Sequence, residues 1–209
     1  MASKLLVDEL APYAHATDVT ITTGKNITGA NTQFKITGGA NTNVLTTDGS
    51  GGLTWAVAAS VIKRSVLCEQ QTSGTDGGTF TAGSWVIRTL NNEIFDDIGI
   101  TITANVFELP AGTFYIKWQC PAYAIDSHMT SLYDVTTPGV VEYGTSGRDD
   151  QGAYMSNNHS FGWAKVVNAS INQYRIEHRC STTRATDGLG QATSLSVEKY
   201  TIVEIEQHA

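Results

Sequence analysis

Thr113-Phe-Tyr-Ile-Lys-Trp-Gln-Cys120 is the stretch on which the fold turns. Phe114, Ile116 and Trp118 fall on one side of an extended chain, and Tyr115, Lys117 and Gln119 on the other. That period of two is the mark of a strand with one face buried. Pro110-Ala-Gly112 before it is a turn. Upstream, Val66–Gln70 and Ser84–Leu90 read as strands, the second setting Trp85, Ile87 and Thr89 against Val86, Arg88 and Leu90. Ile98–Leu109 reads as extended with a break near Asn105. Downstream, strands are expected over Thr130–Val135, Val140–Tyr143, Phe161–Val167, Ile171–Cys180 and Leu195–Ile205, with a polar loop over Gly144–Asn158. Eight to ten short strands punctuated by Gly and Asp turns predict an all-β chain, a β-sandwich of jelly-roll type. In the last strand the apolar phase slips between Val197 and Tyr200, as a bulge or a second buried surface would cause.

The composition agrees. Of 209 residues, 20 are Gly, 41% are hydrophobic and only 16% are charged, with a net charge of −7. The apolar share suffices for a core. The poverty of charge, against about 25% in an ordinary domain, predicts surface covered by other chains. An acidic chain without a basic cluster is a poor partner for nucleic acid. No apolar run approaches a membrane span of about 20 residues. The first residues, Met1-Ala-Ser-Lys-Leu-Leu-Val-Asp-Glu9, lack the apolar core of a secretion signal. Three cysteines, Cys68, Cys120 and Cys180, are therefore expected to be reduced thiols.

Residues 1–56 differ from the rest: Gly, Asn and Thr dominate and large apolar side chains are sparse. Leu5, Leu6, Val7 and Leu10 form one apolar cluster, expected to dock on a partner. Ile27-Thr-Gly-Ala-Asn-Thr-Gln-Phe34 is echoed by Ile36-Thr-Gly-Gly-Ala-Asn-Thr-Asn-Val44. Each unit buries too little alone. It reads either as a collar of three wrapped chains, with Ile27, Phe34, Ile36, Leu45 and Trp55 on the shared axis, or as two similar hairpin loops. Thr46–Gly52 is a turn signal. Leu53–Lys63 is Ala-rich, with Trp55, Ala59 and Ile62 on one helical face, and reads as a short helix or an extended linker. The domain plan is then 1–56 docking and collar segment, 57–63 linker or short helix, and 64–209 sandwich.

No enzymatic signature is found: no Gly-x-Ser-x-Gly elbow, no phosphate-binding Gly-rich loop, and no His pair at three- or four-residue spacing. No cofactor is expected. The cysteines are too far apart in sequence for a zinc knuckle. On a strand His178 and Cys180 share a face and could touch, but nucleophilic chemistry needs an orienting partner and a cleft as well. Asp96-Asp97 and Asp149-Asp150 are the pairs that could hold calcium; adjacent acids in loops are ordinarily solvated turn residues, and no metal is expected. Three Asn-x-Ser/Thr sequons, at Asn26, Asn158 and Asn168, reflect the abundance of Asn and Thr.

Two stretches carry a resemblance. Thr42-Asn-Val-Leu-Thr-Thr-Asp-Gly-Ser-Gly-Gly-Leu-Thr-Trp-Ala56 looks like a module of bacteriophage and large algal-virus structural proteins. The second begins at Gly77-Gly-Thr-Phe-Thr-Ala-Gly-Ser-Trp-Val-Ile-Arg-Thr-Leu-Asn91 and continues in order through Leu109–Tyr115, Pro121–Tyr123, His128–Tyr133, His178–Arg184 and Val203–Ile205. It resembles the jelly-roll knob at the C-terminus of phage tail fibres and in trimeric capsid-decoration proteins, an architecture similar to the complement and tumour-necrosis-factor trimers. The resemblance implies a homotrimer, a non-enzymatic role, and a place in a virion assembled in the bacterial cytoplasm. The partner implied is the major capsid protein or another virion protein, with a host-surface glycan or protein as a further contact. Fewer than 60 residues precede the knob and no long shaft repeat is present, so a capsid cement protein is expected before a short tail-fibre or receptor-binding knob. A sugar-binding jelly roll is the competitor outside the virus class. Tyr115, Trp118, Tyr123 and Tyr133 are the aromatics expected in the knob core or interface.

Overall fold

The computed structural model describes residues 43–47, 53–57, 62–149 and 155–208. The chain divides into two units, 1–58 and 59–209. In the first, β1 (Asn43–Thr47) and β2 (Leu53–Val57) form an antiparallel hairpin. The helical reading of Leu53–Lys63 fails here, because Leu53–Val57 is a strand. A hairpin partner decides the matter: Leu45 lies opposite Trp55 and Thr46 opposite Thr54, and such cross-strand pairs outweigh the helix propensity of a few alanines. Thr46 Oγ1 also donates to the Thr54 carbonyl at 3.2 Å. Leu5, Leu6, Val7, Leu10, Ile27, Phe34 and Ile36 lie outside the described residues, as do residues 58–61 of the linker.

The second unit is a sandwich. One sheet has the order β12 (Asn157–Asn168), β8 (Gly112–Tyr123), β14 (Glu198–His208), β3 (Lys63–Gln71), β5 (Asn92–Asp96). The other runs β10 (Gly139–Tyr143), β9 (Asp126–Asp134), β13 (Asn172–Cys180), β7 (Val106–Leu109), β6 (Thr101–Thr103). Two short strands flank it: β11 (Gly147–Asp149) pairs with β9 and β4 (Val86–Ile87) with β13. All the pairings are antiparallel. The eight principal strands, β12-β8-β14-β3 facing β10-β9-β13-β7, form a jelly roll. The twelve strands of this unit exceed the eight to ten expected. The excess is β5, which shows no alternation, and pieces of two or three residues, among them β11 inside the predicted polar loop.

The core fills from the alternation of each strand. Phe114, Ile116 and Trp118 of β8 meet Val203 and Ile205 of β14, Leu67 of β3 and Val166 of β12, and from the facing sheet Phe107, Leu109, Leu132, Tyr174 and Ile176. Gly162 is needed opposite Trp118. A Cβ at that position would lie 1.9 Å from the indole, so only glycine lets the ring cross β12. The indole N–H donates to Thr130 Oγ1 at 2.8 Å, Thr130 to Ser160 Oγ at 2.8 Å, and Ser160 to the Thr145 carbonyl at 2.7 Å. The break near Asn105 is a two-residue turn. Thr103 pairs with Val106, and Ala104 and Asn105 both take positive φ, the signature of a type I′ hairpin.

The phase slip in the last strand is a bulge. Register shifts between Lys199 and Ile202, and Tyr200 and Thr201 are both buried as a result. That pocket of extra backbone accommodates a charge. Arg88, fully buried, donates to Thr201 Oγ1 at 2.8 Å and to the Leu189 carbonyl at 2.9 Å, and lies 3.3 Å from buried Glu69. Burial pushes the Glu69 carboxyl up, and the Arg88 charge pulls it part of the way back.

Candidate interaction sites

Chain direction gives the sandwich two distinct ends. Lys63, where β3 begins, pairs with Gln207 near the end of β14, so the domain is entered and left at one end. The opposite end, the tip, holds Tyr123, Asn157, Cys180 and the loop 181–197.

Two histidines 50 residues apart meet near the tip. His128 Nδ1 lies 2.9 Å from His178 Nε2, and His128 Nε2 lies 3.3 Å from Asn158 Oδ1. Asn158 Nδ2 donates to the Arg148 carbonyl, so its Oδ1 must accept from His128. His128 therefore carries its proton on Nε2 and accepts on Nδ1, and His178 donates from Nε2. His178 Nδ1 is left as a bare acceptor, buried and without a hydrogen-bond partner among the described residues. Phe80 packs against its ring at 4.6 Å. Burial, with the charge of Arg88 and then His128 adding to it, holds His178 well below the usual histidine range. Spacing along the sequence could not show this pair, because only the register of β9 against β13 brings it together.

The nucleophile pair weighed for His178 and Cys180 does not form. His178 Nε2 is taken by His128, and the Cys180 thiol donates to the Thr182 carbonyl at 3.3 Å. Burial pushes that thiol up to about 11, the opposite of an activated thiolate. Cys68, Cys120 and Cys180 are all free and buried, and burial raises Cys120 to about 11 as well. Asp96 is spent locally. Its oxygens accept from the backbone N–H groups of Ile98, Gly99 and Ile100 and from Ser65 Oγ. Burial opposes its ionisation, but those hydrogen bonds together hold the carboxyl below its usual range. Among the described residues no group of three or more His, Cys, Asp or Glu side chains is placed to hold a metal.

The expected aromatics separate into two environments. Trp118 and Tyr123 are buried, with the Arg184 guanidinium 5.5 Å from the Tyr123 ring centroid. Tyr133 is half-buried under the Arg175 guanidinium at 4.5 Å. Tyr115 is on the outer face of the five-stranded sheet, between His208 and Lys165. That face is unusually apolar. Trp163 (61% exposed), Phe161, Val167 and Phe95 all present side chains to water there. One row of cross-strand partners, Trp163, Lys117, Glu204, Val66 and Phe95, spans all five strands, and Phe161, Gln119 and Ile202 lie in the next. A hollow of about 220 Å³ sits between Phe161, Trp163, Lys117 and Ile202. Trp163 and Phe161, the most apolar features of the surface, were read from sequence only as part of a strand.

The outer face of the other sheet carries an aromatic bridge. Trp85 precedes β4, Tyr143 ends β10, and β13 and β9 lie between those strands, yet the two rings stack with centroids 6.1 Å apart. They must meet above the sheet. Ser131 and Glu177, the outward partners in the row of Tyr143, are buried in consequence. Beside this bridge, toward the tip, is a cleft of about 500 Å³ lined by Gly83, Ser127, His128, Met129, Ser146, Arg179, Cys180 and Ser181.

No protein family and no curated protein matches the chain. Solved structures do. The crystal structure of murine APRIL at pH 8.0 aligns over 70% of this chain and 99% of that one, with 7% identity and a TM-score of 0.42. Murine APRIL at pH 5.0 aligns over the same shares, with 6% identity and a TM-score of 0.43. The jelly-roll assignment rests on the strand order itself.

Proposed function

We propose that this chain is a non-enzymatic structural protein of a bacteriophage virion, a homotrimeric capsid cement protein that docks through its N-terminal segment and holds its jelly roll outward. The observation that carries the reading is the outer face of the five-stranded sheet. Trp163, Phe161, Tyr115 and Phe95 form an aromatic surface of the composition found at interface centres, on a chain poor in charge. Sister chains are its occupants. The position of Lys63 and Gln207 at one end adds support, since a segment arriving there can grip a shell while the tip stays free. A cement protein binds only the assembled shell and stabilises it by mass action. The alternative, a short tail-fibre or receptor-binding knob, draws on the cleft at the tip. A sugar-binding module outside a virion would have that cleft but no particle to bind.

Light scattering of the purified protein tests the trimer. The expected mass is about three times 22.4 kDa. Trp163→Arg should yield a folded monomer with an unchanged far-ultraviolet spectrum. A wild-type monomer at micromolar concentration, or a trimer indifferent to Trp163→Arg, contradicts an interface on this face.

A further inference from the structure

The cleft at the tip has the size of a small-ligand site, about 500 Å³. Its charge is specific. Arg64, Arg88, Arg175 and Arg184 are each paired with a carboxylate, on Glu206, Glu69, Glu177 and Asp187. Arg179 makes no ion pair or hydrogen bond among the described residues, is exposed, and lines the cleft. On a chain of net charge −7, an arginine left without an acid is a cation held for something else. Around it stand the hydroxyls of Ser127 and Ser146 and the thioether of Met129. The side walls come from the loops that carry the aromatic bridge: Gly83 is two residues from Trp85, and Ser146 three from Tyr143. Tyr143 remains 52% exposed.

We propose that this cleft binds a saccharide bearing a carboxylate. Arg179 would take the carboxylate with its two-pronged donor, the serine hydroxyls would exchange hydrogen bonds with ring hydroxyls, and the exposed Tyr143 ring would cover an apolar sugar face. A single guanidinium matches a carboxylate in charge and geometry. A doubly charged phosphate would ask for more cations than the cleft has, and Asp126 beside Ser127 opposes the second charge. An uncharged apolar ligand would leave Arg179 and the serines unpaired. The inference concerns the domain itself and stands apart from the virion reading, which particle binding tests.

Calorimetric titration of the full chain with N-acetylneuraminic acid, glucuronic acid, glucose and acetate tests it. At least one of the two acidic sugars should bind saturably, with glucose and acetate each weaker by roughly tenfold or more. Arg179→Gln should weaken the acidic sugar by a similar factor without shifting the thermal midpoint. Ser146→Trp, an exposed change that fills the cleft, should abolish binding and serves equally if Arg179→Gln disturbs folding. Saturable binding of neither acid overturns the proposal. So does glucose binding as tightly as the acids, acetate binding as tightly as the sugars, or an affinity indifferent to both variants.

Discussion

His178 ties the stability of the tip to pH. Its neutral form is enforced in the fold, because a proton on Nδ1 would place charge in a buried site near Arg88. The unfolded chain takes up that proton near the ordinary value of 6.5. Stabilisation is therefore complete above pH 6.5 and declines as pH falls, by about 1.4 kcal/mol per pH unit, until the folded pKa is reached. Glu69, pushed up by burial, acts in the opposite direction, so a variant is needed to isolate the histidine. Denaturant titrations between about pH 7 and pH 5 should show the wild type losing stability more steeply than His178→Gln; equal slopes would refute the assignment. Gly162 offers a second residue-scale test. Its alanine variant must drive a methyl group into the Trp118 ring, and overpacking of a filled core costs about 1–3 kcal/mol. Chemical denaturation should register that loss, with Trp118 emission altered; a neutral Gly162→Ala would mean that the ring is free to move.

At the scale of elements, the sequence revealed what periodicity can carry. β8, β12, β13 and the break at Asn105 follow from alternation and turn chemistry. The slip near Val197 pointed to a bulge, and the structure places it at Tyr200 and Thr201. Elements set by their neighbours stayed hidden: β11 exists because β9 offers an edge, and β2 because β1 is its partner. The sites followed the same division. Arg88 fell in phase with Val86 and Leu90, a signal that it points inward, but Glu69 and Thr201 come from distant strands. The histidine pair and the cleft depend wholly on register. Within the first unit, Leu45 and Trp55 of the expected collar face one another in the hairpin of a single chain. The docking role of Leu5, Leu6, Val7 and Leu10 remains a proposal with its own test. Deleting residues 1–15 should leave a folded trimer that no longer decorates particles, and wild-type occupancy by that truncation would end the docking claim.

For the whole molecule, three surfaces have three tasks. The five-stranded face meets sister chains, the end bearing Lys63 and Gln207 is turned toward the N-terminal segment, and the tip with Arg179 is left to the surroundings. This division makes sense only for a protein fixed on a larger body. Cryo-electron microscopy of the source particle is the most direct measurement of that claim. The account predicts three-fold density on the shell into which three copies of the jelly roll fit, with the β12-β8-β14-β3-β5 faces turned inward and the tips outermost. Density of this shape at the tail would move the protein to the receptor-binding alternative. A particle with no such density, and no peptide of this chain in its mass spectrum, would contradict the account.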